Sequence, residues 1–242
     1  MTTKNITIWI IGIIIAIGAF YGILSSHDNH IENKKEKTAS TEQNKFIFNG
    51  EGRKLIGPVE LNKGLVVLRA KNQTGSNDVF SVNVYFDKNE NGTLEEGEGY
   101  TGGNISVGYE DAEAFDGAIT FKSNGGGYFV DVDGGRWQIN FDQQDKLAKN
   151  APAPDSFAGK GIQVTKKFYL PAGEYTFNVN NKKGGNFIID MVDEGGNSTP
   201  RLVNEVGDFK GDFTVNNVFA GNYVFAIRGG EWTVTKIGAE KH

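Results

Sequence analysis

Two stretches of this chain spell nearly the same block. Residues 127–139 read GYFVDVDGGRWQI and residues 222–234 read NYVFAIRGGEWTV. Tyr128, Gly134, Gly135 and Trp137 recur at Tyr223, Gly229, Gly230 and Trp232, an offset of 95. Earlier blocks recur in the same order. Phe48, Gly50 and Gly52 match Phe157, Gly159 and Gly161 at an offset of 109, and Leu61 and Gly64 match Leu170 and Gly173 at the same offset. Phe80 matches Phe187 at 107, and Phe115 with Gly117 matches Phe209 with Gly211 at 94. A fixed order of blocks is the signature of a tandem duplication. Whatever fold one half adopts, the other is expected to adopt as well.

Each half reads as strands. Segments 79–86, 128–132, 175–179 and 223–227 are short, rich in β-branched and aromatic residues, and in places alternate apolar with polar, the period of a half-buried strand. Clusters of Gly, Asn and Asp separate them, and 33 of the 242 residues are Gly. Gly134-Gly135 and Gly229-Gly230 read as two-residue hairpin turns, where positive φ is needed. Gly50-x-Gly52 and Gly159-x-Gly161 read as turn glycines. Seven or eight strands per half are expected. The fold class is therefore all-β: two tandem antiparallel β-sandwich, jelly-roll-like domains. Trp137 and Trp232, with Tyr128 and Tyr223, read as packing residues rather than a ligand platform, because core and cross-strand packing would fix them at the same place in both copies.

The N-terminus is different material. Residues 6–24, ITIWIIGIIIAIGAFYGIL, carry no charge. As a helix they would span about 28 Å, close to the ~30 Å hydrocarbon core. Residues 1–25 are expected to be one transmembrane helix acting as an anchor, with a signal segment as the alternative. Residues 26–45 hold eight charges and two aliphatic residues, too little apolar surface to offset ordering, and read as a flexible tether. The first sandwich then spans residues 46–144, a linker residues 145–155, and the second sandwich residues 156–238. Lys34, Lys35 and Lys37 follow the apolar run and weaken the positive-inside argument for orientation.

Composition closes several routes. There is no Cys, and the three His (His27, His30, His242) fall outside the expected sandwiches. Thiolate sites, cysteine nucleophiles and a Ser-His-Asp triad inside the fold are excluded. A net charge of −5 argues against a protein held by nucleic-acid phosphates.

The offset drops from 107 to 94 between Phe80 and Phe115, so the first copy carries 13 extra residues there. Within that gap, residues 87–98 read DKNENGTLEEGE and fit the calcium-loop pattern D-x-[DN]-x-[DN]-G-x₅-E. Asp87, Asn89 and Asn91 take positions 1, 3 and 5, and Gly92 takes the sharp turn. Thr93 offers its carbonyl, Glu95 stands at 9, and Glu98 at 12 offers two oxygens. The loop is entered from a strand and left through glycines, unlike an EF-hand, which makes Glu98 the ligand least fixed by the pattern. Asn at positions 3 and 5 lowers the ligand charge, so Ca2+ binding of about 10⁻⁴–10⁻³ M is expected. Extracellular calcium would fill such a site, which favours an extracytoplasmic location. Nine of the 17 acids in residues 46–155 fall between Asp87 and Asp116, so Glu110, Asp111, Glu113 and Asp116 are candidates for further ligands, the alternative being a solvated acidic tip.

The second half, through YLPAGEYTFNV (169–179), GNFIIDMVD (185–193), LVNEVGDFKG (202–211) and GNYVFAIRGGEWTV (221–234), resembles a glycine-rich β-sandwich module common in secreted and membrane-anchored bacterial proteins. It is similar in style to the pre-peptidase C-terminal-like domains attached to secreted hydrolases. The resemblance spans residues 46–238 as two copies and implies an extracytoplasmic β-sandwich; it carries no catalytic residues. The expected function is a membrane-anchored, non-catalytic binding or structural protein whose partner is an envelope protein or a glycan. Alternatives are a carbohydrate-binding surface protein and a carboxylate-dependent hydrolase.

Overall fold

The computed structural model describes residues 45–73, 79–95, 100–107, 115–143 and 151–240. The expected membrane helix and tether lie outside these residues, and among the described residues no helix is long and apolar enough to cross a membrane. The described residues form one compact unit.

The described chain is all-β. The first half supplies β1 (Lys45–Glu51), β2 (Lys54–Asn72), β3 (Phe80–Phe86), β4 (Tyr100–Val107), β5 (Asp116–Asp133) and β6 (Arg136–Asp142). The second supplies β7 (Ser156–Val164), β8 (Phe168–Leu170), β9 (Gly173–Lys182), β10 (Asn186–Asp193), β11 (Val203–Val206), β12 (Phe209–Val218) and β13 (Gly221–Glu240). Each half forms one sheet, six-stranded in the order β1-β6-β2-β5-β3-β4 and seven-stranded along β11-β10-β13-β9-β12, with β7 and β8 also on β13. The seven strands of the second half match the seven or eight expected, and the six of the first are one or two fewer because several expected strands are halves of long ones.

Glycines let these long strands turn over a core. In β2, Val59 and Leu61 are buried at odd positions, whereas Val66, Leu68 and Ala70 are buried at even ones. The parity changes around Gly64, whose φ is 129°. On β5, Gly64 faces Ser123, and just beyond it Gly125 and Gly126, the latter facing Leu61, have φ of 88° and 96°, a region only Gly enters at low cost. Phe121 lies before this kink and Tyr128, Val130 and Val132 after it, yet all share one apolar core with the β2 residues. The β2–β5 ribbon therefore folds back on itself. In the second half the chain breaks at the matching places, between β8 and β9 and between β12 and β13, around a separate core built on Phe168, Phe177, Phe187, Phe213 and Phe225.

The double glycines are not hairpin turns. β6 pairs with β1 and β2, and β5 pairs with β2 and β3, so the strands flanking Gly134-Gly135 are not partners. Gly229 and Gly230 lie inside β13, where the register with β7 shifts between Gly229 and Glu231, a bulge. None of the four has positive φ. What the positions require is the missing Cβ. One on Gly134 would sit 2.6 Å from Phe80 Cδ2, and one on Gly229 would sit 2.8 Å from Phe187 Cδ2.

The tryptophans are packed, as expected. Trp137 and Trp232 are 3% and 4% exposed. Gly50 faces Trp137 across β1–β6, and Gly159 faces Trp232 across β7–β13. A Cβ on either glycine would run into the indole ring. Each indole N–H donates to the carbonyl of the next glycine in the motif, Gly52 at 2.8 Å and Gly161 at 3.3 Å. Gly52 and Gly161 have φ of 66° and 71°, which turns that carbonyl toward the ring.

The halves meet through a third apolar cluster, Val67, Ala118, Val164, Val192 and Val224. Leu65 N donates to Glu194 O at 3.0 Å and Gln163 Nε2 to Asp116 O at 2.7 Å. Of the expected linker, the part described also docks: Tyr169 N donates to Ala151 O at 2.7 Å, and Ala153 joins the second core.

Candidate functional site

β3 is an inner strand whose alternating FSVNVYF pattern buries Phe80, Val82 and Val84. It delivers Asp87 to the sheet margin, where Asp87 N donates to Gly127 O at 3.0 Å. Asp87 is only 2% exposed. Its carboxylate accepts the N–H of Asn91 at 3.3 Å and of Gly92 at 2.9 Å. A buried charge needs such partners. The loop can curl back far enough because Glu90 and Gly92 adopt φ of 55° and 71°. A Cβ on Gly92 would touch nothing within 4 Å, so backbone conformation alone calls for glycine there.

Four of the sequence-predicted ligands converge. Asn89 Oδ1 accepts Asn91 N–H at 3.2 Å, and Asn91 Oδ1 accepts Thr93 N–H at 2.8 Å. The Glu95 carboxylate accepts Asn89 Nδ2 at 3.1 Å and Asn91 Nδ2 at 2.8 Å. Asp87, Asn89, Asn91 and Glu95 thus form one oxygen-rich cluster, with Thr93 on the same turn. Every donor is oxygen, and the set includes two carboxylates. That chemistry fits a hard cation such as Ca2+, which takes six to eight oxygens. Glu98, Glu110, Asp111 and Glu113 lie outside the described residues. Among the described residues no three His, Cys, Asp or Glu side chains form a metal-holding group. Asp116 stands eleven residues before Gly127 on β5, and its carboxylate pairs with Lys71 Nζ at 2.8 Å.

The extra residues of the first half are spread out rather than confined to this loop. Residues 87–99 join β3 to β4, against 194–202 joining β10 to β11; β4 has eight residues against four in β11; and residues 108–115 join β4 to β5, against 207–208 in the second half.

At the place matching Asp87, the second half has a cluster that sequence reading missed. Glu194 accepts Lys167 Nζ at 3.3 Å and Asn222 Nδ2 at 3.0 Å. The Lys167 side chain is 4% exposed, unusual for lysine and explained by this pair. The match follows from register: Phe86 faces Tyr128 and Asp193 faces Tyr223, each one residue before the acid. The offset of 107 aligns Glu194 with Asp87, but only the fold shows that Lys167 and Asn222 reach it.

Nearby, burial lifts the Tyr223 hydroxyl above the usual tyrosine range, and Asp193 adds to the shift. Burial raises Tyr175 as well, with a smaller contribution from Tyr169. On the first sheet, Asn104, Asn83, Asp131 and Leu55 line up across four strands, and Arg53 donates to both Asp131 oxygens at 3.1 and 2.7 Å.

No family model and no curated protein matches the chain. Among solved structures, it is similar to the PBSX exported protein XepA, with 12% identity and a TM-score of 0.30 over 79% of this chain and 85% of that one. It is also similar to a putative secreted protein from Parabacteroides distasonis, with 11% identity and a TM-score of 0.20 over 80% and 89%. Similarities this loose decide neither fold nor function.

Proposed function

We propose that this chain is a membrane-anchored, extracytoplasmic, non-catalytic protein built from two copies of one β-sandwich module, the first braced by Ca2+. The observation that carries the reading is the loop at residues 87–95. It buries the Asp87 carboxylate under the backbone N–H groups of Asn91 and Gly92, curls around it through two left-handed residues, and ties the Asn89 and Asn91 side chains to Glu95 on the same turn. The duplication is supported by the shared glycine–tryptophan device and by the registers on which it rests. The 19-residue uncharged run supports the anchor, and the expected weak affinity supports an outside location, where calcium is plentiful. The two modules would present a binding face to an envelope protein or a glycan.

The test is thermal melting of the full chain with about 5 mM calcium against chelator, where about 3–6 °C of stabilisation is expected for a site of this class. Asp87→Ala should remove the shift. Equal melting of wild type in both conditions would overturn the calcium reading.

Carbohydrate binding is the second reading, favoured by the cross-strand row of Asn104, Asn83 and Asp131 with Arg53 beside it. Tyr85, two residues along from Asn83, is half-buried on that same sheet face. Retention on wall polysaccharide that Tyr85→Ala abolishes would support it. No retention by wild type would dismiss it.

A further inference from the structure

The face of the second sheet turned toward the first half is closed at one end and open at the other. Three strands lay out its rows. Ile188, Arg228 and Ile162 face one another across β10, β13 and β7, and Asp190, Ala226 and Val164 form the next row, about 7 Å along. Beyond them Val192 and Val224 bury themselves against Val67 and Ala118 of the first half. That contact closes one end. Toward Ile188 the halves part and leave a cleft of about 310 Å³, walled on the other side by Asn104, Ile119 and Thr120.

The cleft is apolar below and charged at the rim. Ile119, Ile162 and Ile188 are each only partly buried there. Arg201 Nε meets Asp190 Oδ1 at a long 3.5 Å. Arg228 stands between the two isoleucines of its row, and its guanidinium has no hydrogen-bond or ion-pair partner among the described residues. Two guanidinium groups against one carboxylate leave the cleft one positive charge in excess, in a chain whose net charge is −5. A local excess of this sign on an acidic protein is a site property rather than a general attraction.

From the geometry we infer that the cleft binds a small monoanion, a carboxylate carried on an apolar body, with the carboxylate on Arg228 and the body over the three isoleucines. The volume sits at the lower end of the range for small-molecule sites, and junctions between domains are a common place for them. An arginine offers two parallel N–H groups to a carboxylate, which makes Arg228 a specific anchor rather than a point charge. Asp190, already paired with Arg201, keeps the charge count at one and so selects against dianions. Strands hold every wall except the segment carrying Arg201, so the site is largely preformed.

The experiment is ligand-observed saturation-transfer NMR on the full chain in detergent, with 3-phenylpropionate as probe and its uncharged amide as control. Partition of the probe into micelles is the same for every variant, so differences between variants report the protein. Arg228→Gln should weaken carboxylate binding at least about tenfold and leave the amide unchanged. Asp190→Asn adds a net positive charge and should tighten the carboxylate. Both residues are on the surface, and melting curves will show whether each variant folds. If wild type and Arg228→Gln bind the carboxylate alike, or if Asp190→Asn weakens it, the assignment is overturned. If Arg228→Gln does not fold, the Asp190→Asn response decides the case alone.

Discussion

The loops after β3 and after β10 leave their sheets at matching places and treat a carboxylate in opposite ways. In the second half, Glu194 is met by a lysine of its own chain, Lys167, and by Asn222. In the first half, the residues at those two places are Pro58, in the register shift between Ile56 and Val59, and Gly127, which faces Glu60; neither brings a cation. Asp87 is instead wrapped by the backbone N–H groups of its own loop, with Asn89, Asn91 and Glu95 gathered beside it. Both arrangements answer the cost of burying a charge, Asp87 in the first half and Lys167 in the second. One answer is built in. The other, on the calcium reading proposed above, leaves a place for a cation from outside. Two similar sheets can therefore differ in the one property that depends on the medium.

The strongest test asks whether the halves are as alike as this comparison requires. Trp137→Ala and Trp232→Ala each empty a slot lined by a glycine, and each should cost about 3–5 kcal/mol in denaturant unfolding. A difference above about 2 kcal/mol would mean that the shared device does not do the same job in both halves. Lys167→Met comes next. It removes the ammonium while keeping the apolar stem, and the expected loss is about 1–2 kcal/mol, held down because the Glu194 side chain is 39% exposed. The loss should be the same with calcium and with chelator. A calcium-dependent loss would erase the distinction between the loops.

Much of this was readable before the fold, and the exceptions have physical causes. Strand-like segments in both halves led to an all-β chain, which the described residues are, and the spacing of Asn89, Asn91 and Glu95 placed three side chains on one turn, where they hydrogen-bond to one another. The double glycines were misread. Two glycines between strand-like segments imitate a hairpin, but hairpin pairing is a property of the partners, and here the partners are distant: Trp137 of β6 faces Gly50 of β1. What those glycines accommodate, the rings of Phe80 and Phe187, is equally nonlocal. Lys167 stayed invisible because it meets Glu194 from 27 residues away, and a lysine in a polar stretch gives no sign of burial. The cleft needed register, since nothing local says that Arg228 faces two isoleucines.

A smaller effect is expected from the first loop. For a dissociation constant near 1 mM, about 5 mM calcium stabilises by about 1 kcal/mol. Asp87→Ala should abolish that increment, and Lys167→Met should not touch it. Calcium stabilisation that survives Asp87→Ala would move the site elsewhere in the acidic segment.

The smallest effect separates the halves by proton rather than by cation. Tyr223 donates its hydroxyl to Phe219 O at 2.7 Å, and Tyr175 donates to Pro171 O at 2.9 Å. Burial holds both protons more tightly in the folded chain than in the unfolded one, and Asp193 reinforces this at Tyr223. The sign follows from linkage. Below the unfolded tyrosine value of about 10 both states keep the proton and stability is unaffected. Above it the unfolded chain ionises first, so stability falls as pH climbs through that value and on through the raised folded one. Melting temperature should therefore drop above about pH 10, and the double variant Tyr175→Phe/Tyr223→Phe should flatten that drop while lowering stability at neutral pH through two lost hydrogen bonds. Both tyrosines are in the second half, whereas the calcium response is assigned to the first. Asp87→Ala should leave the alkaline slope unchanged, and the double variant should leave the calcium shift unchanged. An alkaline slope that persists in the double variant would show that these buried hydroxyls are not what the second half loses at high pH.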